Sequence, residues 1–250
     1  MAKSHTCAQN TYTISGKSVT LYEISTRSSN IKVMSFARKT GQNKLVKTLS
    51  ASGEYGINAS WFDIKGDKHI MNLAYQNGIR QGSLLNDADT NFNGVKVDGF
   101  TNSVGRSAIF RANGVLGFSS NIVNSSSSLV SNSTWLQGGI NMFLGESGGK
   151  SKFYSEGAST YDYDANRSGM VADLANDRVY LFAVNQGITP EIFRAVIMKR
   201  LSIQEGNATH KYRGIMLDGG GSTQMVGATI NIRSSEDRPI PQIVGLNDKT

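Results

Sequence analysis

The chain has 250 residues, 38% of them apolar, with 27 glycines, three prolines and one cysteine, which excludes disorder and fibrous repeats and is enough for one large core. Its formal charge of +7, from 26 Lys and Arg against 19 Asp and Glu, favours acidic partners by long-range attraction. The basic residues are scattered, without a basic run or interleaved aromatics, which argues against a nucleic-acid groove and suits a phosphate-bearing substrate.

Taken in chain order, the first ten residues lack the apolar core of a signal peptide, and no segment approaches about 18 uninterrupted apolar residues. The expectation is therefore a chain without a membrane span, cytoplasmic or virion-associated. Cys7 alone cannot form an intrachain disulfide, and with only His5, His69 and His210 scattered along the chain it makes no familiar zinc cluster. Residues 18–24 and 31–37 alternate apolar and polar side chains, the two-residue period of half-buried strands. Residues 45–53 are too short to separate helix from strand. Within 94–130 the text is turns and short strands, with Asn113-Gly114 between apolar runs as a hairpin signal and a loop over 125–128.

Residues 136–144 read as a strand leading from a glycine turn, and 146–164 as an exposed loop rich in Ser, Gly and Tyr. One helix has a clear start: Thr189 is a hydroxyl cap, Pro190 suits the first helical position, and Glu191 lies in the positive first turn. Ile192, Phe193, Val196, Ile197 and Leu201 then share a face, and Gly206 marks the end region. A strand follows into Asp218, and 224–232 is again strand-like. With no linker and no fixed-period repeat, these elements predict a single α+β domain, a mostly antiparallel mixed sheet with a few covering helices. The N-terminal strands of 1–49 belong to the same domain as 50–250.

The segment Leu217-Asp218-Gly219-Gly220-Gly221-Ser222-Thr223 carries the most chemistry. Glycine loses more backbone freedom on folding than any other residue, so three in succession at a strand end need a use. Close approach of a ligand is one, since bare successive amides can line a concavity for an anion. A nucleotide phosphate loop would need a Lys-Ser/Thr end and a helix behind it, and neither is present. A glycine-rich hairpin without chemistry is the plain alternative.

Those residues resemble the LDGGGS-T signature of the phosphodiester glycosidase family. In the family's order, Ile57-Asn58-Ala59-Ser60-Trp61-Phe62-Asp63 is similar to its early INGGFFD segment. Arg167-Ser168-Gly169-Met170-Val171, followed by residues 177–184, is similar to its RTAIG segment and the strand after it. Arg238-Pro239-Ile240-Pro241 is similar to a late Arg-Pro-Val-Pro stretch. The resemblance spans about residues 50–247. It departs at Ala59 and Ser60, where the family keeps paired glycines, and at Ser168, where it keeps Thr.

The resemblance implies a hydrolase that cleaves the glycosidic bond between a sugar's anomeric carbon and a phosphodiester, with Asp218, Asp63 and Asn58 as catalytic candidates. Arg167, Gly219, Gly220, Gly221, Ser222, Thr223 and Arg238 are the candidates for holding phosphate. Each residue also has a plainer reading. Asp218 at a strand end can be desolvated and its pKa raised, or can cap its own turn. Ser222 and Thr223 can bond phosphate oxygens or satisfy the turn. Asn58 can bind a sugar hydroxyl, hold a carboxylate, or end a strand, and Asp63 can be a second acid or a surface-turn residue. Trp61 can stack on a sugar, with core filling the better reading.

Arg167 and Arg238 offer planar forks that match phosphate or form surface ion pairs. Arg106 imitates the RTAIG text locally, but Arg167 is preferred because the family's following strand comes after it. No cofactor is required; calcium near the carboxylates has no ligand spacing behind it, and nothing in the sequence sets the oligomeric state. Two other functions stay open. One is a phage or virion protein binding a phosphate-containing cell-wall glycan without turnover. The other is a cytoplasmic enzyme acting on a sugar-nucleotide or signalling phosphodiester.

Overall fold

Strand periodicity decides how the layers stack. In the Tyr212–Leu217 strand, Ile215 and Leu217 enter one apolar cluster and Met216 another, because successive side chains point to opposite faces. The same alternation runs through Ala165–Asp173, where Met170 and Ala172 face one way and Val171 the other. Both strands are thus buried on both faces, and something must cover each.

One face is covered by a second sheet. The structure, a computed structural model, describes residues 4–36, 47–62, 70, 73–81, 91–92, 95–96, 107–120, 128–207 and 211–247. A ten-stranded sheet has the order His5–Ile14, Lys17–Arg27, Arg178–Ile188, Ala165–Asp173, Tyr212–Leu217, Ser133–Asn141, Ala74–Gln76, Ile79–Arg80, with Ser107–Ala112 and then Val115–Ser119 branching from Ser133–Asn141. A five-stranded sheet has the order Asn231–Arg233, Gln224–Val226, Gly56–Asn58, Gln242–Leu246, Ile31–Ser35. Ile24, Met170, Leu181 and Ile215 of the first sheet pack with Val33, Ile57, Met225 and Val244 of the second.

The other face of the larger sheet is covered by helices. Phe193, Val196 and Ile197 of the Pro190–Arg200 helix and Phe153 of the Gly149–Ser155 helix pack on Leu21, Val171, Phe182 and Met216. Arg200 near the helix end grips the buried Glu23 with Nε at 2.7 Å and Nη2 at 3.1 Å from its two carboxylate oxygens, a fork that fixes the helix on the strand as well as neutralising a buried charge. The α+β class, the strands at 18–24 and the Thr189 cap, whose Oγ1 accepts from Ile192 N at 3.4 Å, agree with the sequence reading. The Asn113-Gly114 hairpin does too, with φ of 49° and 79° at its two turn residues, as a two-residue turn of that type requires.

Every strand pairing among the described residues is antiparallel, in keeping with the mostly antiparallel sheet expected. Several other expectations are corrected. The stretch 146–164 is no plain loop: it holds the Gly149–Ser155 helix and a 3-10 turn at Ala158–Tyr161, drawn in because Phe153 and Ala158 are fully buried. Gly138 and Gly139 lie inside the Ser133–Asn141 strand rather than in a turn before it, since a Cβ on Gly139 would stand 2.5 Å from the Met216 carbonyl oxygen of the next strand. Residues 224–232 form two short antiparallel strands, Gln224–Val226 and Asn231–Arg233. Residues 45–53 include a short helix, Leu49–Ser52. His5–Ile14 and Lys17–Arg27 lie in the larger sheet and Ile31–Ser35 in the smaller.

Gly56 is where the smaller sheet tolerates no side chain. Its φ is +148° and a Cβ would sit 2.1 Å from the Val244 carbonyl oxygen, whereas Gly114, at φ +79°, faces open space. We predict that Gly56→Ala lowers unfolding free energy by roughly 3 kcal/mol or more, and Gly114→Ala by about 1 kcal/mol, from left-handed strain alone. Urea unfolding followed by circular dichroism measures both, and equal losses would refute the clash.

Candidate active site

Asp218 is the first residue after the Tyr212–Leu217 strand, and its peptide is pinned from two sides. Its N–H donates to Ala59 O at 2.9 Å, and its carbonyl accepts from Asn58 Nδ2 at 2.7 Å. Asn58, at the end of Gly56–Asn58 and 1% exposed, also accepts with Oδ1 from Ser168 Oγ at 2.7 Å and Gln224 N at 3.1 Å. Asn58 therefore holds the strand end that carries Asp218; its amide is spent on the protein and is not among the groups that line the cavity.

The Asp218 carboxyl accepts from the Gly219 N–H at 2.8 Å. Burial pushes its pKa up from the ordinary 3.8 to about 6, against the smaller opposing effects of Ser222, the Gly219 N–H and Arg238. The Ser222 hydroxyl stands close enough to favour the charged form, yet short of hydrogen-bonding geometry. Ser222 Oγ and Thr223 Oγ1 are both buried and have no partner among the described residues.

The glycine loop is shaped by what surrounds it. Ser222 N donates to Gly219 O at 3.1 Å and Thr223 N to Gly220 O at 3.2 Å, closing a 3-10 turn at Gly220–Ser222. The Gly221 carbonyl accepts from Ser234 Oγ at 2.6 Å and Arg238 N at 3.2 Å. Gly220 has φ +56°, a Cβ on Gly219 would lie 2.6 Å from Asn166 O, and one on Gly221 would lie 2.1 Å from Glu236 Oε2. Gly219 is thus required by the neighbouring main chain and Gly220 is favoured by its left-handed conformation, whereas a side chain at Gly221 would displace the Glu236 carboxylate and the Arg238 fork. The amides of Gly220 and Gly221 have no partner among the described residues.

These groups border a cavity of about 580 Å³, a common size for a small-molecule site. Its lining includes Asp218, the three glycines, Arg238 and Glu236 together with the aromatic side chains of Trp61, Tyr161 and Tyr163. Trp61 is 7% exposed and stacks on Tyr161 with ring centroids 5.2 Å apart and planes at 30°, so it both fills the core and walls the cavity. Burial, followed by the Asp218 charge, raises the Tyr161 pKa. Arg238 is paired with Glu236 through Nη2 and Oε2, side chains 28% and 57% exposed.

Arg167 also borders the cavity, from within the Ala165–Asp173 strand. Arg167 is 3% exposed, and its guanidinium is committed to main-chain carbonyls: Nε to Ile188 O at 2.9 Å, Nη2 to Tyr161 O at 2.9 Å, and Nη2 also to Tyr163 O. Burial pulls its pKa down. Its geometry is that of a strut fastening the tyrosine wall, with the guanidinium carbon 5.4 Å from the Tyr163 ring centre. Asp63, Arg106, His69, His210, Ala37 and residues 125–127 lie outside the described residues.

Ala59 and Ser60, the departures from the family's glycines, do not intrude on the cavity. Ala59 joins the core between the sheets, and Ser60 is buried in a ring of bonds with Gln137 and Gln242. The sequence reading missed Tyr161, Tyr163, Asp164, Asn166 and Glu236 as cavity residues. Only Glu236 had a local signal, its spacing of two from Arg238. Among the described residues no three of His, Cys, Asp and Glu converge on a metal-sized position.

No family model and no curated protein matches the sequence, but solved structures do match the fold. The chain is similar to the catalytic domain of zebrafish N-acetylglucosamine-1-phosphodiester alpha-N-acetylglucosaminidase auto-inhibited by its pro-peptide, with a TM-score of 0.65 and 13% identity, over 98% of this chain and 83% of that one. It is similar to a hypothetical protein from Synechocystis, with a TM-score of 0.59 and 12% identity, over 97% of this chain and 62% of that one. At these identities the likeness is one of fold. No helix among the described residues is long and apolar enough to cross a membrane.

The raised Asp218 pKa has a thermodynamic consequence. Because the folded value, about 6, lies above the ordinary 3.8, protonation favours the fold: the stabilisation is fully present below about pH 4 and is lost as pH rises through about 6. We predict that the wild type loses on the order of 2 kcal/mol relative to Asp218→Asn across that window. Urea unfolding at a series of pH values tests it, and parallel curves for the two proteins would refute it.

Proposed function

We propose that the chain is a hydrolase of the phosphodiester glycosidase type, cleaving the bond between a sugar's anomeric carbon and a phosphodiester. The observation that carries this reading is the Asp218 carboxyl, held at a strand end with its pKa near 6, in one cavity with Arg238 and an aromatic wall. The LDGGGS-T resemblance and the fold shared with a glycosidase catalytic domain support it. Asp63 is the second carboxylate of the proposal, on the resemblance alone.

The reaction asks little of a general acid. Phosphate leaves readily without a proton, so the need is for a carboxylate that takes the proton of an attacking water as its oxygen bonds to the anomeric carbon, while the carbon–oxygen bond to phosphate breaks and its electron pair leaves with the phosphate. Asp218, ionised above about pH 6, fills that role. Arg238 and the free amides of Gly220 and Gly221 hold the phosphate, and Tyr163 and Trp61 flank the sugar, whose apolar face suits aromatic rings. Asn58 and Arg167 act as positioning residues.

A binding function without turnover is the second reading, and the engagement of both arginine forks by protein groups favours it. Incubation with sugar-1-phosphodiesters, a sugar nucleotide among them, and assay of free sugar separates the two. The expected result is release that falls as pH drops through about 6, and a loss on the order of 10³-fold in Asp218→Asn. No release from any substrate, or an equally active Asp218→Asn protein, would sink the enzyme reading. Activity falling instead as pH rises through about 6 would make Asp218 the acid.

A further inference from the structure

Glu236 has no part in the chemistry above, yet it occupies the most telling position in the cavity. Its carboxylate pairs with Arg238 and lies directly over Gly221, where a Cβ would meet Glu236 Oε2 at 2.1 Å and Arg238 Nη2 at 2.8 Å. An anion is therefore already seated between an arginine fork and the glycine loop, the place the proposed reaction gives to phosphate. The two partners are held differently. The Arg238 main chain is tied by its N–H to Gly221 O at 3.2 Å and by its carbonyl to Gln224 Nε2 at 2.6 Å. Glu236 projects from a turn closed by Asp237 N donating to Ser234 O at 3.1 Å, with its side chain 57% exposed. An exposed pair of this kind contributes little, so the carboxylate can leave while the guanidinium stays.

We infer that Glu236 is a specificity-determining charge: it holds the phosphate seat in the empty protein and makes the site discriminate a singly charged phosphodiester from a doubly charged phosphomonoester. The inference rests on the proposed reaction for its meaning, because hydrolysis turns the one into the other. The diester carries one negative charge, whereas the monoester released by adding water gains a second ionisation near neutral pH. A displaced but tethered carboxylate repels the dianion more strongly than the monoanion, which favours product leaving over substrate leaving. With Asp164, Asp218 and Glu236 against Arg167 and Arg238, the charged groups bordering the cavity sum to one net negative charge, which also disfavours a dianion.

Calorimetric titration of the full chain at pH 7.5 tests this without turnover, using inorganic phosphate, glycerol phosphate and dimethyl phosphate as probes. In Glu236→Gln the first two are expected to bind about tenfold more tightly and dimethyl phosphate about threefold, with both gains shrinking as salt rises. Arg238→Gln is expected to abolish these gains when added to Glu236→Gln. Unchanged affinities, weaker binding of any probe, equal gains for all three, or gains that survive Arg238→Gln would overturn the inference. If the unequal gains appear while no sugar is released from any substrate, the discriminating seat stands and the hydrolase reading falls; release of sugar with equal gains means the converse.

Discussion

The geometry of the site depends on one buried amide. Asn58 is cut off from water, so each hydrogen bond its side chain forgoes inside the protein would cost free energy with no solvent to restore it. It meets the requirement by bonding the Asp218 carbonyl, the Ser168 hydroxyl and the Gln224 amide, which lie just past the Tyr212–Leu217 strand, within Ala165–Asp173 and at the start of Gln224–Val226, and so belong to both sheets. The three segments converge where the amide can serve all of them. Asp218 follows from this, because its peptide is fixed before its carboxyl is considered.

A second buried network supports the first. Gln242 Nε2 donates to Gln137 Oε1 at 2.7 Å, Gln137 Nε2 to Ser60 Oγ at 3.2 Å, and Ser60 N to Gln242 Oε1 at 3.0 Å, a closed ring in which the Ser60 hydroxyl supplies an acceptor. It fixes the chain just before Trp61, and Trp61 in turn backs Tyr161. Arg167 completes the wall by holding the carbonyls of residues 161 and 163. The cavity is thereby pre-formed from main-chain positions, with the tyrosine segment fastened by a guanidinium rather than by apolar packing alone.

What could be read in the sequence was what short-range rules govern. Asn113-Gly114 and Thr189-Pro190-Glu191 declared a hairpin and a helix because turn and cap chemistry is local, and the Asp218 loop declared itself because three glycines are costly without a use. The Gly149–Ser155 helix was hidden because one glycine and two serines among its seven residues weaken its helical signal, and its stability comes from burying Phe153 in an apolar cluster shared with the Pro190–Arg200 helix, some forty residues away. Arg167 was placed in the right region but given the wrong neighbours: an arginine in text looks alike whether its fork awaits a ligand or is spent on carbonyls. Glu236 was invisible for the opposite reason, since a surface acid near an arginine is the commonest of pairs, and only the absent Cβ at Gly221 shows where its carboxylate rests.

The two carboxylates and Arg238 form one electrostatic unit. Arg238 favours the charged form of Asp218, and its own charge is partly offset by Glu236. Under the proposed function, bringing phosphate onto Arg238 replaces one anion by another, so a monoanion leaves the field at Asp218 nearly as Glu236 had left it, and the carboxylate stays able to accept a proton. A dianion in the same seat more than cancels the arginine and pushes the Asp218 pKa upward, toward the protonated form that cannot act as base. In the proposed hydrolysis, the charge that distinguishes product from substrate therefore opposes the ionisation a further turnover needs. Expulsion of the product and recovery of the base are, in this arrangement, consequences of the same repulsion.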